Sequence, residues 1–330
     1  MTVRFGLLGA GRIGKVHARA VSGDANARLV AVADAFPAAA EAIAAAYGCE
    51  VRTIEAIEAA RDIDAVVICT PTDTHADLIE RFARAGKAIF CEKPVDLDVE
   101  RVKACIEVVD ETRAKLMVGF NRRFDPHFMA VRKAIDDGRI GDVEMVTITS
   151  RDPGAPPVDY IKRSGGIFRD MTIHDFDMAR FLLGEEPVAV SATAAVLVDK
   201  AIGEAGDYDS VSVLLQTASG RQAMISNSRR ATYGYDQRIE VHGSKGMVSA
   251  ENQRPVSIEL ATGDGYTRPP LHDFFMTRYT EAYANEIASF IAAIENGAKI
   301  APSGADGLAA LVLADAAVRS VKEGKLIRIG

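Results

Sequence analysis

The run Asp170-Met171-Thr172-Ile173-His174-Asp175-Phe176-Asp177 sets a carboxylate and an imidazole four residues apart. On a helix that spacing puts both on one face, and Met178 and Phe181 continue the same largely apolar stripe. An imidazole oriented by a carboxylate is suited to taking a proton from a substrate hydroxyl. An N-capping Asp170 followed by a core His174 would leave the same pattern. Lys93 stands in Cys91-Glu92-Lys93-Pro94, directly after an apolar run. A lysine emerging from a strand end there can donate to an alcohol or alkoxide oxygen, or serve as a solvated residue before a turn proline.

A second constellation is built for phosphate. Gly9-Ala10-Gly11-Arg12-Ile13-Gly14 follows an apolar run and opens a helical segment, the context a dinucleotide site requires. Gly9 permits the tight turn, Gly11 lets the backbone approach a pyrophosphate, and Gly14 lets helix and strand pack closely. The helix start at Arg12 and Ile13 offers its N–H groups to the phosphates. Asp34 ends the next apolar run, 20 residues after Gly14, where a carboxylate accepts hydrogen bonds from a ribose. It would repel a 2′-phosphate, and Ala35 and Phe36 could not hold one, so NAD is expected over NADP. A solvated Asp34 before Pro37 is the plainer reading. Thr70, Pro71 and His75 follow a further strand on the same side of the sheet and are expected beside the cofactor; taken alone, His75 is as well explained as a helix-start residue.

The elements that carry these residues alternate. Apolar runs at 3–8, 29–33, 65–69, 88–91 and 116–118 are separated by helical segments at about 12–22, 37–47, 54–60, 75–85 and 98–111. Continuous Val/Ile runs between helices mean a parallel sheet buried on both faces, so the fold class is α/β, with a doubly wound Rossmann domain over 1–120. The pattern changes near Gly119. A helix is expected at 126–137, a strand at 143–149, an irregular stretch at 152–166 and a helix at 172–183. Alternating segments follow at 188–198, 209–216, 221–228, 237–242, 246–250 and 256–260, then helices at 275–296 and 303–323 and a strand at 326–329. The second domain, 121–330, is therefore expected to be α+β with an open, mostly antiparallel sheet whose free face suits a subunit interface.

Composition narrows the partners. With 330 residues, two domains are expected, each with a sizeable core. A net charge of -7 and a pI near 5.5 argue against nucleic acid or an anionic membrane as partner. No apolar run reaches the ~18 residues of a membrane span. The N-terminus shows no signal-peptide pattern, and Cys49, Cys69, Cys91 and Cys105 form no CxxC, so reduced thiols in a cytoplasmic protein are expected. With six histidines and no HExxH, a zinc site is not expected.

Gly9 to Gly14, the Glu92-Lys93-Pro94 triplet and Asp170 followed by His174 together resemble the Gfo/Idh/MocA oxidoreductases over nearly the whole chain. Gly119 to Asp125, Asp170 to Asp177 and Tyr233-Gly234-Tyr235-Asp236-Gln237 are similar to the branch of that family that acts on inositols. The resemblance implies NAD-dependent oxidation of a cyclic polyol, foremost myo-inositol, to its ketone. It implies Lys93, Asp170 and His174 as the catalytic set, all three also touching substrate. Glu92, Lys93 and Arg122 would lie beside the cofactor, and Arg122, Asp152 and Tyr235 beside the polyol. A homotetramer is implied as well. No metal is expected, because Lys93 and His174 cover charge stabilisation and proton transfer. Ser150-Arg151-Asp152 stands where some of these dehydrogenases carry His-Arg-Asn, which leaves the inositol isomer open. Three other readings stay open: a dehydrogenase of another sugar, an NAD-dependent glycoside hydrolase, and a catalytically silent regulator on the same fold.

Overall fold

The structure, a computed structural model, describes residues 2–329. The chain divides into two units: one of the residues up to Asp125 with Glu281–Leu311, the other of Pro126–Thr280 with the residues from Val312 on.

In the first unit, strands β1 (Val3–Leu8), β2 (Ala27–Ala33), β3 (Glu50–Val51), β4 (Ala65–Ile68), β5 (Ala88–Cys91) and β6 (Leu116–Val118) form a parallel sheet in the order β3-β2-β1-β4-β5-β6. This is the doubly wound order, whose strand direction of growth reverses at β1 and β4. All four residues of β4 are buried, as expected of a strand covered on both faces. The edge strand β3 has both residues exposed and lacks the apolar run that marks the others.

The segment Glu281–Leu311 belongs to this unit, so the second domain does not run unbroken from 121 to 330. Phe290, on the helix Thr280–Asn296, sits 6.3 Å from the Phe5 ring and 6.0 Å from Phe90, with Ile287 and Ile291 in the same core. An apolar helix face can cover either sheet, and its composition does not say which. The expected helix 275–296 is also interrupted at Tyr279, leaving Phe275–Arg278 as a separate turn.

In the second unit, β7 (Val143–Arg151), β8 (Pro187–Ala195), β9 (Ser210–Thr217), β10 (Gln222–Ser228), β11 (Asp236–Gly243) and β12 (Gly246–Ala250) precede a small hairpin, β13 (Leu260–Thr262) and β14 (Gly265–Thr267), and a last strand β15 (Ile327–Arg328). The order is β12-β11-β7-β10-β9-β8-β15, antiparallel except for β7 beside β10. The helix Thr172–Leu183 packs on β7 and β10. Met145, Leu214, Met224 and Met247 are exposed.

Three further expected elements differ. The alternation at 256–260 does not extend the sheet: Val256, Ile258 and Leu260 are exposed, and Leu260 only opens the local hairpin around Gly263-Asp264. The stretch 152–166 contains a helix, Val158–Ser164, closed by Gly165 at φ +83°. The strand expected at 188–198 ends at Ala195, because Asp209 accepts the N–H groups of Leu197, Val198 and Asp199 and turns the chain into a short helix, Lys200–Glu204.

Candidate active site

The glycine turn has the shape a dinucleotide needs. Gly9 has φ +96°, and a Cβ there would lie 2.5 Å from the Cys69 carbonyl oxygen. A Cβ on Gly14 would lie 2.0 Å from the Gly9 carbonyl oxygen, whereas one on Gly11 meets nothing within 4 Å. The first and third glycines are thus required by packing, and the second leaves open backbone where a pyrophosphate approaches. The helix Arg12–Gly23 begins here with no side-chain cap on Gly11, so its N-terminal amides and dipole are available to an anion. Arg12 is exposed, and Ile13 packs against the core.

Asp34 does more than the sequence suggests. Its Oδ2 accepts the Ala10 N–H at 2.6 Å and its Oδ1 the Phe36 N–H at 2.7 Å, so the carboxylate also pins the glycine turn. A carboxylate has about four acceptor sites, which leaves capacity for ribose hydroxyls. The residues present fit NAD. Asp34→Ser with Ala35→Arg is expected to narrow or reverse a preference for NAD over NADP, and to raise KM for both because the turn loses its anchor. The ratio of kcat/KM values checks this; equal values for the two cofactors in the wild type would refute the assignment.

The ends of β4 and β5 carry the next residues. Thr70 Oγ1 pairs with Thr74 Oγ1 at 2.6 Å, and the Pro71 carbonyl accepts the Thr74 N–H at 3.0 Å. His75 is buried, with Nδ1 2.8 Å from the Pro94 carbonyl oxygen and Nε2 2.8 Å from that of Thr70. Both ring nitrogens therefore face protein backbone. Lys93 is half-buried between the buried residues Glu92 and Pro94. Arg122 is buried in the single turn Asn121–Phe124 that follows β6.

Behind Glu92 lies a group that sequence reasoning missed. His17 Nε2 stands 2.6 Å from Glu92 Oε1, and the fully buried Glu286 completes a cluster whose donor atoms all lie within 4.8 Å of one another. Burial, and then the charge of Glu92, push the Glu286 carboxyl well above the usual range. Its native pKa exceeds the unfolded value of 4.5, so the stability it adds is present below that value and is lost as pH rises through the native one. Glu286→Gln, similar in shape and uncharged, is expected to gain Tm over the wild type by an amount that grows as pH rises above the ordinary carboxylate range. A constant difference would contradict this.

In the second unit Asp170 does not share a helix with His174, contrary to the spacing argument. Asp170 ends the short helix Ile167–Asp170, and the helix bearing His174 starts at Thr172. Between them Thr172 Oγ1 donates to the Ile167 carbonyl at 3.3 Å, which also receives the Met171 N–H at 2.9 Å, and the His174 N–H turns to the Met171 carbonyl at 3.3 Å. Asp170 is held from other elements. Tyr160 Oη donates to its Oδ1 at 2.8 Å, and the buried Arg229 lies 3.4 Å from its Oδ2. Asp207, 3.6 Å from the same guanidinium, accepts the Ile167 N–H at 3.0 Å. Neither Tyr160 nor Arg229 stands in a recognisable motif.

The helix bearing His174 is bolted to the sheet through Asp175. Ser150 Oγ donates to Asp175 Oδ1 at 2.6 Å and Asn227 Nδ2 to its Oδ2 at 2.8 Å, all three residues buried. That network fixes the register from which His174 projects. The Asp152 N–H donates to the Ser228 carbonyl at 2.9 Å, and Tyr235 is buried edge-on against Phe274 and Tyr279.

Residues 3–120 match the family model described as an oxidoreductase family with an NAD-binding Rossmann fold, and residues 128–249 match the Gfo/Idh/MocA C-terminal domain. The chain belongs to the Gfo/Idh/MocA oxidoreductases. Within that family it is 89% identical to the inositol 2-dehydrogenase of Rhizobium meliloti strain 1021, covering 100% of both chains. A crystal structure of a myo-inositol dehydrogenase from Corynebacterium glutamicum superposes with a TM-score of 0.96 at 44% identity, covering 100% of this chain and 99% of that one. The scyllo-inositol dehydrogenase of Lactobacillus casei, solved with NAD(H) and scyllo-inositol, gives 0.93 at 30% identity, over 99% of each chain. As an NAD-binding Gfo/Idh/MocA oxidoreductase, the chain has the glycine turn and Asp34 in the first unit, and Asp170 and His174 in the second.

Proposed function

We propose that this chain oxidises myo-inositol with NAD, converting the C2 hydroxyl to a ketone. The full-length identity to the Rhizobium meliloti enzyme carries this reading, and Lys93, Asp170 and His174 supply the chemistry it needs. NAD, when bound along Gly9 to Gly14 with Asp34 at its ribose, provides the hydride acceptor. His174 takes the hydroxyl proton, and Asp170 stabilises the imidazolium so formed. Arg229 and Tyr160 hold the Asp170 carboxylate in place. Lys93 donates to the substrate oxygen as negative charge develops on it. Arg122, Asp152 and Tyr235 bind the remaining hydroxyls, and Thr70, Pro71 and Glu92 border the cofactor.

A panel of polyols and aldoses assayed with NAD and with NADP tests the proposal by absorbance of the reduced cofactor. Myo-inositol with NAD should give the highest kcat/KM, and failure of every inositol to reduce NAD would overturn it. Among the described residues no helix is long and apolar enough to cross a membrane, and we place the protein in the cytoplasm. The exposed methionines of the second-unit sheet suit a subunit interface, and the family resemblance implies a homotetramer, for which light scattering should give about four times the chain mass of 35.3 kDa. A monomer mass would refute that assembly.

A further inference from the structure

We propose that His17 and His75 are positioning residues for Lys93: two buried imidazoles that grip the residues on either side of it. The proposal rests on Lys93 being the donor to the reacting oxygen.

The geometry is bilateral. On one flank, the Glu92 carboxylate meets His17 Nε2 at 2.6 Å, and the Glu92 N–H donates to the Ile68 carbonyl at 3.0 Å. His17 belongs to the helix that opens at the glycine turn, and its ring is wedged 4.9 Å from Phe90 and 5.5 Å from Tyr283. A Cβ on Gly119 would lie 3.2 Å from the Glu92 carboxyl carbon, so the third residue of that wall is glycine. On the other flank, His75 Nδ1 meets the Pro94 carbonyl and Nε2 the Thr70 carbonyl, both at 2.8 Å, tying the turn after β5 to the end of β4. A carbonyl oxygen only accepts, so the ring nitrogen that carries the proton donates to one of the two carbonyls and the ring packs against the other. Both histidines are buried, whereas Lys93 between their partners is half-exposed. The turn is thus fixed at both ends and its one protruding side chain is the lysine. A donor to a developing oxyanion acts through preorganisation, and a misplacement of about 1 Å can cost ~100-fold.

His17, Glu92 and Glu286 could in composition be metal ligands. The 2.6 Å contact between His17 and Glu92 is a hydrogen-bond distance; two ligands on one ion with bonds of ~2.0–2.2 Å stand about 3 Å or more apart.

The test is a double-mutant cycle on the full-length chain. His17→Ala and His75→Ala are made singly, and each again with Lys93→Ala; kcat with myo-inositol, Kd for NAD and Tm are measured. Each single histidine variant should lose between about 10- and 100-fold in kcat, with Kd for NAD within about threefold of wild type. In the Lys93→Ala background the same change should cost nothing further, because the lysine it positions is gone. Gln at either position keeps one amide donor and should recover part of the loss, which also serves where an alanine variant does not fold. Equal fold-losses in both backgrounds, or an unchanged kcat in the single variants, would overturn the proposal while leaving the role of Lys93 intact. Wild-type turnover by Lys93→Ala itself would instead refute the role of Lys93, and the proposal with it.

Discussion

Replacing His174 with alanine is expected to cut kcat for inositol oxidation by ~10²–10⁴ and to erase the titration of the rate. Oxidation needs the ring neutral before the chemical step. The wild-type rate should therefore climb with pH and level off on the alkaline side. Ketone reduction, which needs the protonated ring, should fall over the same range. Asp170→Asn removes a charge that favours the imidazolium, so its inflection should move to lower pH. NAD affinity should barely change in His174→Ala, since the residues assigned to the dinucleotide, Gly9 to Gly14 and Asp34, lie in the first unit. A pH–rate profile identical to wild type in that variant would reduce His174 to a core residue.

Lys93→Ala should lose ~10²–10³ in kcat, the typical cost of removing one preorganised donor to a developing oxyanion. Kd for NAD should move far less, because the dinucleotide is held chiefly at the glycine turn and Asp34. Arginine at the same position keeps the charge but replaces a compact ammonium with a planar fork, so Lys93→Arg should recover only part of the rate. Pre-steady-state measurement separates chemistry from cofactor release: the loss should appear in the first turnover. Normal turnover at saturating substrate would make Lys93 a surface lysine.

The cofactor half of this site is largely legible in the sequence. Gly9 to Gly14 follow an apolar run and precede a helical one, and the φ of Gly9 and the contacts at Gly14 bear out why glycine stands there. Asp34 and Lys93 are likewise placed by position alone, because each ends or follows a strand of a parallel sheet. The substrate half is less legible. A four-residue spacing assumes a continuous helix between Asp170 and His174, and a local bond from Thr172 to the Ile167 carbonyl breaks that assumption. Arg229, which holds Asp170, sits 59 residues away at the end of a strand, in a register that only sheet pairing fixes. His17 carried a faint signal: it lies on the buried stripe Gly14, His17, Ala18 and Val21 of its helix. Its partners Glu92 and Glu286 come from distant segments, one of them the returning stretch Glu281–Leu311 that periodicity alone could not assign to a unit.

Transfer of hydrogen from C2 of the substrate is the point on which everything else depends. Purified protein incubated with NAD and myo-inositol deuterated at C2 should yield reduced cofactor carrying one deuterium for each ketone formed, with turnover slower than for the unlabelled polyol. Absence of reduced cofactor, or reduced cofactor that carries no deuterium, would contradict it.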